Sequence, residues 1–202
     1  MLEEKIRFFS GGLQIEGLSY MQDGENGAVI THPHPLYGGN MHNAIVKAVS
    51  EVYQEKGFST LRFNFRGVGA SDGTYTDGEG ECKDVKSAID YMHKKGRVNI
   101  DLVGYSFGAW VNMKTTDIDF KHLRTVMISP PVSFLDFSLI SHNQKIDVII
   151  TGQMDDIAPP YKIKDLILSW NPNAHFFIIK GADHFYSFKT EELKHVLTQL
   201  TQ

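Results

Sequence analysis

Apolar residues recur along this chain with two alternating periods, and that alternation sets the first expectation. Short runs rich in β-branched and aromatic residues read as strands. They are Ala28-Val29-Ile30, Thr60 to Phe65, Val98 to Val103, Thr125 to Ile128, Asp147 to Ile150 and Phe176 to Ile179. Between them the spacing turns helical. Ile45, Val46, Val49, Val52 and Tyr53 share one helical face that ends at Gly57, and Val85, Ala88, Ile89 and Met92 form a second that closes at Gly96. Ala109 to Met113 is helix-prone, and later stripes are Ile163, Leu166, Ile167, Trp170 and Leu193, Val196, Leu197, Leu200. Ahead of all these, Ile6 to Phe9 and Leu13 to Leu18 flank Gly11-Gly12 as the arms of a hairpin would. The pattern predicts an α/β fold: a mainly parallel sheet with helices on both faces and an antiparallel N-terminal hairpin at one edge.

Length and composition narrow the function classes. The 202 residues fit a single domain, 1–202, large enough to bury a core without staples. No internal repeat, low-complexity tract or long linker divides it, and the irregular stretch Pro130 to Gln144 is too short for a large lid. With 22% charged residues and a net charge of −4, the chain has no basic excess to hold a phosphate backbone, so nucleic acid is not an expected partner. Cys82 is the only cysteine, and Met1 to Lys5 lacks a signal-peptide pattern, so the expected home is the cytoplasm. Runs such as Val148-Ile149-Ile150 and Phe176 to Ile179 are far shorter than a membrane span and read as buried strands. No membrane partner is expected, and the oligomeric state stays open.

The chemistry centres on Ser106, in Gly104-Tyr105-Ser106-Phe107-Gly108, between a predicted strand and a predicted helix. Glycines two residues either side of a serine let a strand turn sharply into a helix and lift the hydroxyl out of the core. A serine hydroxyl is a weak nucleophile that needs a base and a carboxylate to orient that base. Asp155, in Thr151-Gly152-Gln153-Met154-Asp155-Asp156, and His184, in Gly181-Ala182-Asp183-His184, each follow a predicted strand. Active sites of parallel sheets lie at those strand ends. The order Ser, Asp, His is that of an α/β-hydrolase.

Two further segments carry a more specific resemblance. Thr31-His32-Pro33-His34-Pro35-Leu36-Tyr37-Gly38-Gly39-Asn40-Met41-His42-Asn43 and Arg62-Phe63-Asn64-Phe65-Arg66-Gly67-Val68-Gly69 resemble the small, lidless bacterial α/β-hydrolases related to dienelactone hydrolase. The likeness spans nearly the whole chain and implies a carboxylesterase with catalytic Ser106, Asp155 and His184 and no cofactor or metal. Dienelactone hydrolase carries a cysteine at the elbow where this chain has Ser106, so its substrate is not carried over. The resemblance also implies a pair of backbone N–H donors for an oxyanion, from Phe107 and from the loop after the first parallel strand. Matching His32-Pro33 to the family's His-Gly position points to the His34 amide. Pro33 and Pro35 have no amide hydrogen, and Leu36 remains open as an alternative.

Other residues have plainer readings. His32, His34 and His42 are separated by prolines, without the matched carboxylate or cysteine set that a metal site needs, and read as structural or oxyanion-loop histidines. Gly67-Val68-Gly69-Ala70-Ser71-Asp72-Gly73 has the wrong spacing for a dinucleotide loop and opens no helix; Arg66 beside it reads as a tie to carboxylates or carbonyls. Cys82 reads as core packing and Asp156 as a solvated neighbour. Tyr37, Phe134 and Tyr186 are candidate pocket residues. The expected activity is serine hydrolysis of small carboxylic esters or thioesters through an acyl-enzyme. The alternatives are a peptidase or acyl-peptide hydrolase on the same triad and a non-catalytic binding protein.

Overall fold

A computed structural model describes residues 2–115, 122–137 and 145–201. The chain opens with the hairpin β1 (Glu4–Ser10) and β2 (Leu13–Tyr20), turned through Gly11 and Gly12 at φ 57° and 88°. Strands and helices then alternate: β3 (Asn26–Thr31), α1 (Ala44–Glu55), β4 (Ser59–Phe63), α2 (Glu79–Lys94), β5 (Asn99–Tyr105) and α3 (Phe107–Lys114). After these come β6 (Leu123–Ile128), β7 (Ile146–Gly152), α4 (Pro160–Trp170), β8 (His175–Ile179) and α5 (Thr190–Leu200). Each predicted run becomes the expected type of element.

The strands form one sheet in the order β1-β2-β4-β3-β5-β6-β7-β8. β2 pairs antiparallel with both β1 and β4, and the remaining pairs are parallel. Side chains alternate across the sheet. Ala28, Ile30, Val103 and Val126 face α1 and α5, whereas Val29, Leu61, Phe63 and Leu102 face α2 and α3. Met127 and Ile149 meet Ile163, Ile167 and Trp170 of α4. The central strands are covered on both faces, which explains their unbroken apolar runs.

Chain order reverses between β3 and β5, the point where loops leaving the carboxyl ends of a doubly wound sheet diverge and open a crevice. The loop after β3 and the turn after β5 therefore border one cleft. Local sequence holds that geometry. The Asn43 side chain caps α1 by accepting from the Ile45 N–H at 2.9 Å. Thr60 to Phe65 was expected to continue as strand to Phe65, but β4 stops at Phe63. The Asn64 N–H turns to the Glu16 carbonyl at 3.0 Å and the Phe65 N–H to His32 Nε2 at 3.1 Å, so the two residues leave the parallel ladder.

A second expectation is corrected. Phe176 to Ile179 is not a buried strand: β8 is the sheet edge, paired with β7 alone, and Ile178 is 50% exposed. In the irregular stretch 130–144, residues 130–137 make turns and the rest lie outside the described residues. No helix among the described residues is long and apolar enough to cross a membrane.

Candidate active site

Ser106 is the single residue between β5 and α3, held at φ 54°, ψ −118°. A non-glycine residue there costs on the order of 1–3 kcal/mol and persists only where its surroundings hold it. The Ser106 N–H donates to the Ile128 carbonyl at 2.8 Å, pinning the turn to the end of β6. The flanking glycines supply the space. A Cβ on Gly104 would lie 2.5 Å from the Ala109 nitrogen, and one on Gly108 would lie 2.5 Å from Thr31 Oγ1 and 2.7 Å from the Thr31 carbonyl oxygen. Both clashes involve backbone that cannot yield without separating α3 from the sheet. Gly108→Ala is thus expected to destabilise the fold by about 2–3 kcal/mol. That corresponds to a Tm drop of roughly 5–10 °C in circular-dichroism melts, and an unchanged Tm would contradict the packing described.

The structure brings Ser106, His184 and Asp155 together. His184 Nε2 lies 3.0 Å from Ser106 Oγ, and Nδ1 lies 2.9 Å and 3.0 Å from the two Asp155 oxygens. Asp155 is 1% exposed, and its Oδ1 accepts from the Ile157 and Ala158 amides at 3.0 Å and 2.7 Å. Burial alone would raise the pKa of this carboxyl. Hydrogen bonding and charge from His184, with the Ala158 amide and the Ser129 hydroxyl, outweigh it and hold the group below its ordinary value. An ionised carboxylate only accepts, so Nδ1 carries a proton and Nε2 presents its lone pair to the Ser106 hydroxyl. Asp156, the neighbour, points to solvent.

Above the serine opens a cleft of about 570 Å³, lined among others by His34, Tyr37, Phe107, Phe134 and Phe185. The His34 and Phe107 amides donate to no acceptor among the described residues. The Leu36 amide is already spent on His34 Nδ1 at 3.2 Å, which removes it as the alternative donor. The His34 ring is packed against Tyr37, Tyr75 and Phe107 at centroid distances of 4.9, 5.2 and 4.7 Å, and its Nε2 meets the Tyr75 hydroxyl at 3.2 Å. These contacts fix the loop that presents its amide.

The remaining histidines are accounted for by other contacts. His32 is fully buried, with Nε2 accepting from the Phe65 N–H and Nδ1 2.7 Å from the Pro33 carbonyl. Burial lowers its pKa to about 4, against the opposing pull of that carbonyl. It is a neutral structural residue. His42 is exposed beside the N-terminal hairpin, in a separate groove. Arg66 does tie its loop to a carboxylate, through Asp84 at 2.7 Å and 3.0 Å. Gly67, Gly69 and Gly73 all take positive φ in the turns that follow. Cys82 packs against the α2 and α3 core, and burial raises its thiol pKa.

Tyr37 and Phe134 line the cleft as expected, but Tyr186 does not: it is 1% exposed and turned into the core beneath His184. The reason is local. Tyr186 takes φ 53°, which sends its ring inward while Phe185 stays 69% exposed at the cleft. Two residues near the site had no sequence signal. The Tyr105 hydroxyl donates to the His184 carbonyl at 2.9 Å, and Ser129, directly after β6, meets the Tyr186 hydroxyl at 2.9 Å.

Comparison with known proteins agrees with this fold. No family model matches the chain. An uncharacterized protein of Rickettsia prowazekii (strain Madrid E) is 38% identical over 177 residues, 82% of this chain and 74% of that protein. An α/β serine hydrolase homologue from Coxiella burnetii superimposes with a TM-score of 0.90 at 31% identity, covering 99% of this chain and 98% of that one. An α/β serine hydrolase without a lid from Xanthomonas campestris gives a TM-score of 0.85 at 23% identity, covering 98% and 92%, a likeness of fold. With the sheet order, the post-strand loops and full-length similarity above 30% all in agreement, the chain belongs to the α/β-hydrolase family.

Proposed function

We propose that this hydrolase cleaves small carboxylic esters or thioesters through an acyl-enzyme formed on Ser106. The observation that carries the reading is the unbroken hydrogen-bond chain from Ser106 Oγ through His184 to Asp155 at the floor of an open cleft. Ser106 Oγ attacks the acyl carbon as His184 Nε2 takes its proton. The oxyanion receives the His34 and Phe107 amides, and the imidazolium is stabilised by the Asp155 carboxylate. Collapse of the tetrahedral species expels the alcohol or thiol, which leaves with the proton from Nε2. Water then enters, gives a proton to Nε2 and attacks the acyl-enzyme; the carboxylic acid departs and Ser106 regains its hydrogen.

The lining supports uncharged substrates. Among the described residues around the cleft, the side chains are apolar, aromatic or neutral polar, with no lysine, arginine, aspartate or glutamate. An anionic acyl group would lose hydration there without a cation to replace it, and it would approach Asp155 beneath the floor. A three-substrate panel tests both points. p-Nitrophenyl butyrate is expected to turn over, mono-p-nitrophenyl succinate to show a kcat/KM at least about tenfold lower, and a peptide p-nitroanilide to turn over more slowly than either. Preferential cleavage of the anilide would make the protein a peptidase instead. Equal use of butyrate and succinate would overturn the uncharged-substrate reading, and no turnover of any of the three would remove the esterase reading.

A further inference from the structure

Ser106 divides the cleft, and the lining differs on each side of it. β3 and β6 flank β5 on opposite sides, so the loop after β3, with His34, and the segment after β6, with Pro131, Phe134 and Leu135, border the serine from opposite directions. A third group arrives from the sheet edge. The loop after β8 brings His184 Nε2 to 3.0 Å from Ser106 Oγ and places Phe185 at the cleft beside it. The Phe185 ring stands edge-on to the imidazole at a centroid distance of 5.6 Å.

A tetrahedral acyl intermediate has four substituents, and the serine oxygen is one of them. The oxyanion turns to the His34 and Phe107 amides. The leaving oxygen must lie against His184 Nε2, which gives it a proton, so the group beyond that oxygen runs past Phe185. The acyl chain takes the direction that remains, toward Pro131, Phe134, Leu135 and Ile157. None of these four side chains carries a polar atom.

That wall is built before any substrate arrives. The Phe134 and Leu135 amides both donate to the Pro131 carbonyl at 3.0 Å. The Ser133 amide donates to the Ile157 carbonyl at 3.1 Å, which binds the segment after β6 to the loop after β7. Trp110 Nε1 of α3 donates to the Asp136 carbonyl at 2.9 Å, and the Ile157 N–H is held by Asp155 Oδ1 at 3.0 Å. Pro131 is buried, Leu135 and Ile157 are half-buried, and Phe134 is exposed at the mouth. The other side is barer: Phe185 is 69% exposed, and among the described residues its loop lines the cleft with His184 alone besides. A preformed apolar wall discriminates between chains, whereas a single exposed ring gives little selection.

We propose, resting on the serine hydrolase reading, that Pro131, Phe134, Leu135 and Ile157 form an acyl pocket that selects apolar acyl chains longer than acetyl, while Phe185 borders an open leaving-group side that accepts varied alcohols or thiols.

Specificity ratios test this, because a variant that merely damages the fold slows every substrate alike. p-Nitrophenyl acetate, butyrate and hexanoate, each kept below its solubility limit, vary the acyl chain; p-nitrophenyl butyrate against ethyl butyrate varies the leaving group. Wild-type kcat/KM is expected to rise at least about tenfold from acetate to hexanoate. Phe134→Ala and Ile157→Ala should each lower the hexanoate-to-acetate ratio about fivefold and leave the p-nitrophenyl-to-ethyl ratio within about twofold of wild type. Phe185→Ala should do the reverse, with the chain-length ratio within about twofold and the leaving-group ratio lowered about threefold. Phe134 and Phe185 are both exposed, so removing either ring leaves the core intact. A flat acyl series in wild type, or a chain-length ratio that moves with Phe185 and not with Phe134 and Ile157, would overturn the proposal. The underlying reading fails differently: no fluorophosphonate adduct on Ser106 and no turnover of any ester defeats the hydrolase, whereas labelled wild type with a flat acyl series defeats the acyl pocket alone.

Discussion

Ser106→Ala is expected to lower kcat on p-nitrophenyl butyrate by at least about a thousandfold and to abolish labelling by a fluorophosphonate, while the protein stays folded. Oγ is the one atom removed. Its partner in the structure is His184 Nε2 at 3.0 Å, on a ring that lines the open cleft, so the space left by Oγ adjoins that cleft. The backbone bond from residue 106 to the Ile128 carbonyl does not depend on the side chain. Alanine occupies φ 54° with the same Cβ constraint as serine, so the melting temperature should stay within about 2 °C of wild type. Residual turnover comes from the His34 and Phe107 amides, which still polarise a bound carbonyl for attack by water. Intact mass after probe treatment gives the sharper reading. One adduct on wild type and none on the variant assigns the nucleophile, and turnover within tenfold of wild type would remove Ser106 from the mechanism.

The parts of this architecture legible in the sequence were those with a period or a position along the chain. Alternating strand and helix runs identified the strands and α-helices among the described residues because the central strands are buried on both faces, and Gly104 and Gly108 marked the elbow because close approach of α3 leaves no room for a Cβ. Ser106, Asp155 and His184 stood out because each follows a strand, where a parallel sheet gathers its loops. Asp155 and Asp156 differ by one residue, and the fold buries only the first. What the sequence hid was set by contacts distant along the chain. Phe176 to Ile179 is apolar throughout, yet its place at the sheet edge depends on strand order, which its own residues do not encode. Phe185 and Tyr186 look alike as neighbours in a loop, and a single positive φ sends one to the cleft and the other to the core. The choice between His34 and Leu36 needed the His34 ring itself, which captures the Leu36 amide.

Asp155→Asn is the second large effect, and the structure dictates how it arises. Oδ1 accepts two backbone hydrogens, from Ile157 and Ala158, and an asparagine there must keep its oxygen on that side. The NH₂ group is then forced into the Oδ2 position, 2.9 Å from His184 Nδ1. A donor facing Nδ1 requires that nitrogen to accept, so the ring proton moves to Nε2 and points at Ser106. Nε2 can no longer take the hydroxyl proton, and the imidazolium formed in any surviving reaction has lost its counter-charge. A kcat loss of about three to four orders of magnitude is expected with KM little changed, since the cleft walls are untouched. At high pH, hydroxide-assisted turnover should recover part of the rate, so the variant's activity should climb with pH where wild type is level. Fluorophosphonate labelling of Ser106 should slow by a similar factor without disappearing. Asp155→Ala would not show the same pH dependence, because an empty site leaves the ring free to take either tautomer. If Asn and Ala variants gave identical pH profiles, or if Asp155→Asn kept a tenth of wild-type kcat, the orientation of His184 would have to come from somewhere other than Asp155.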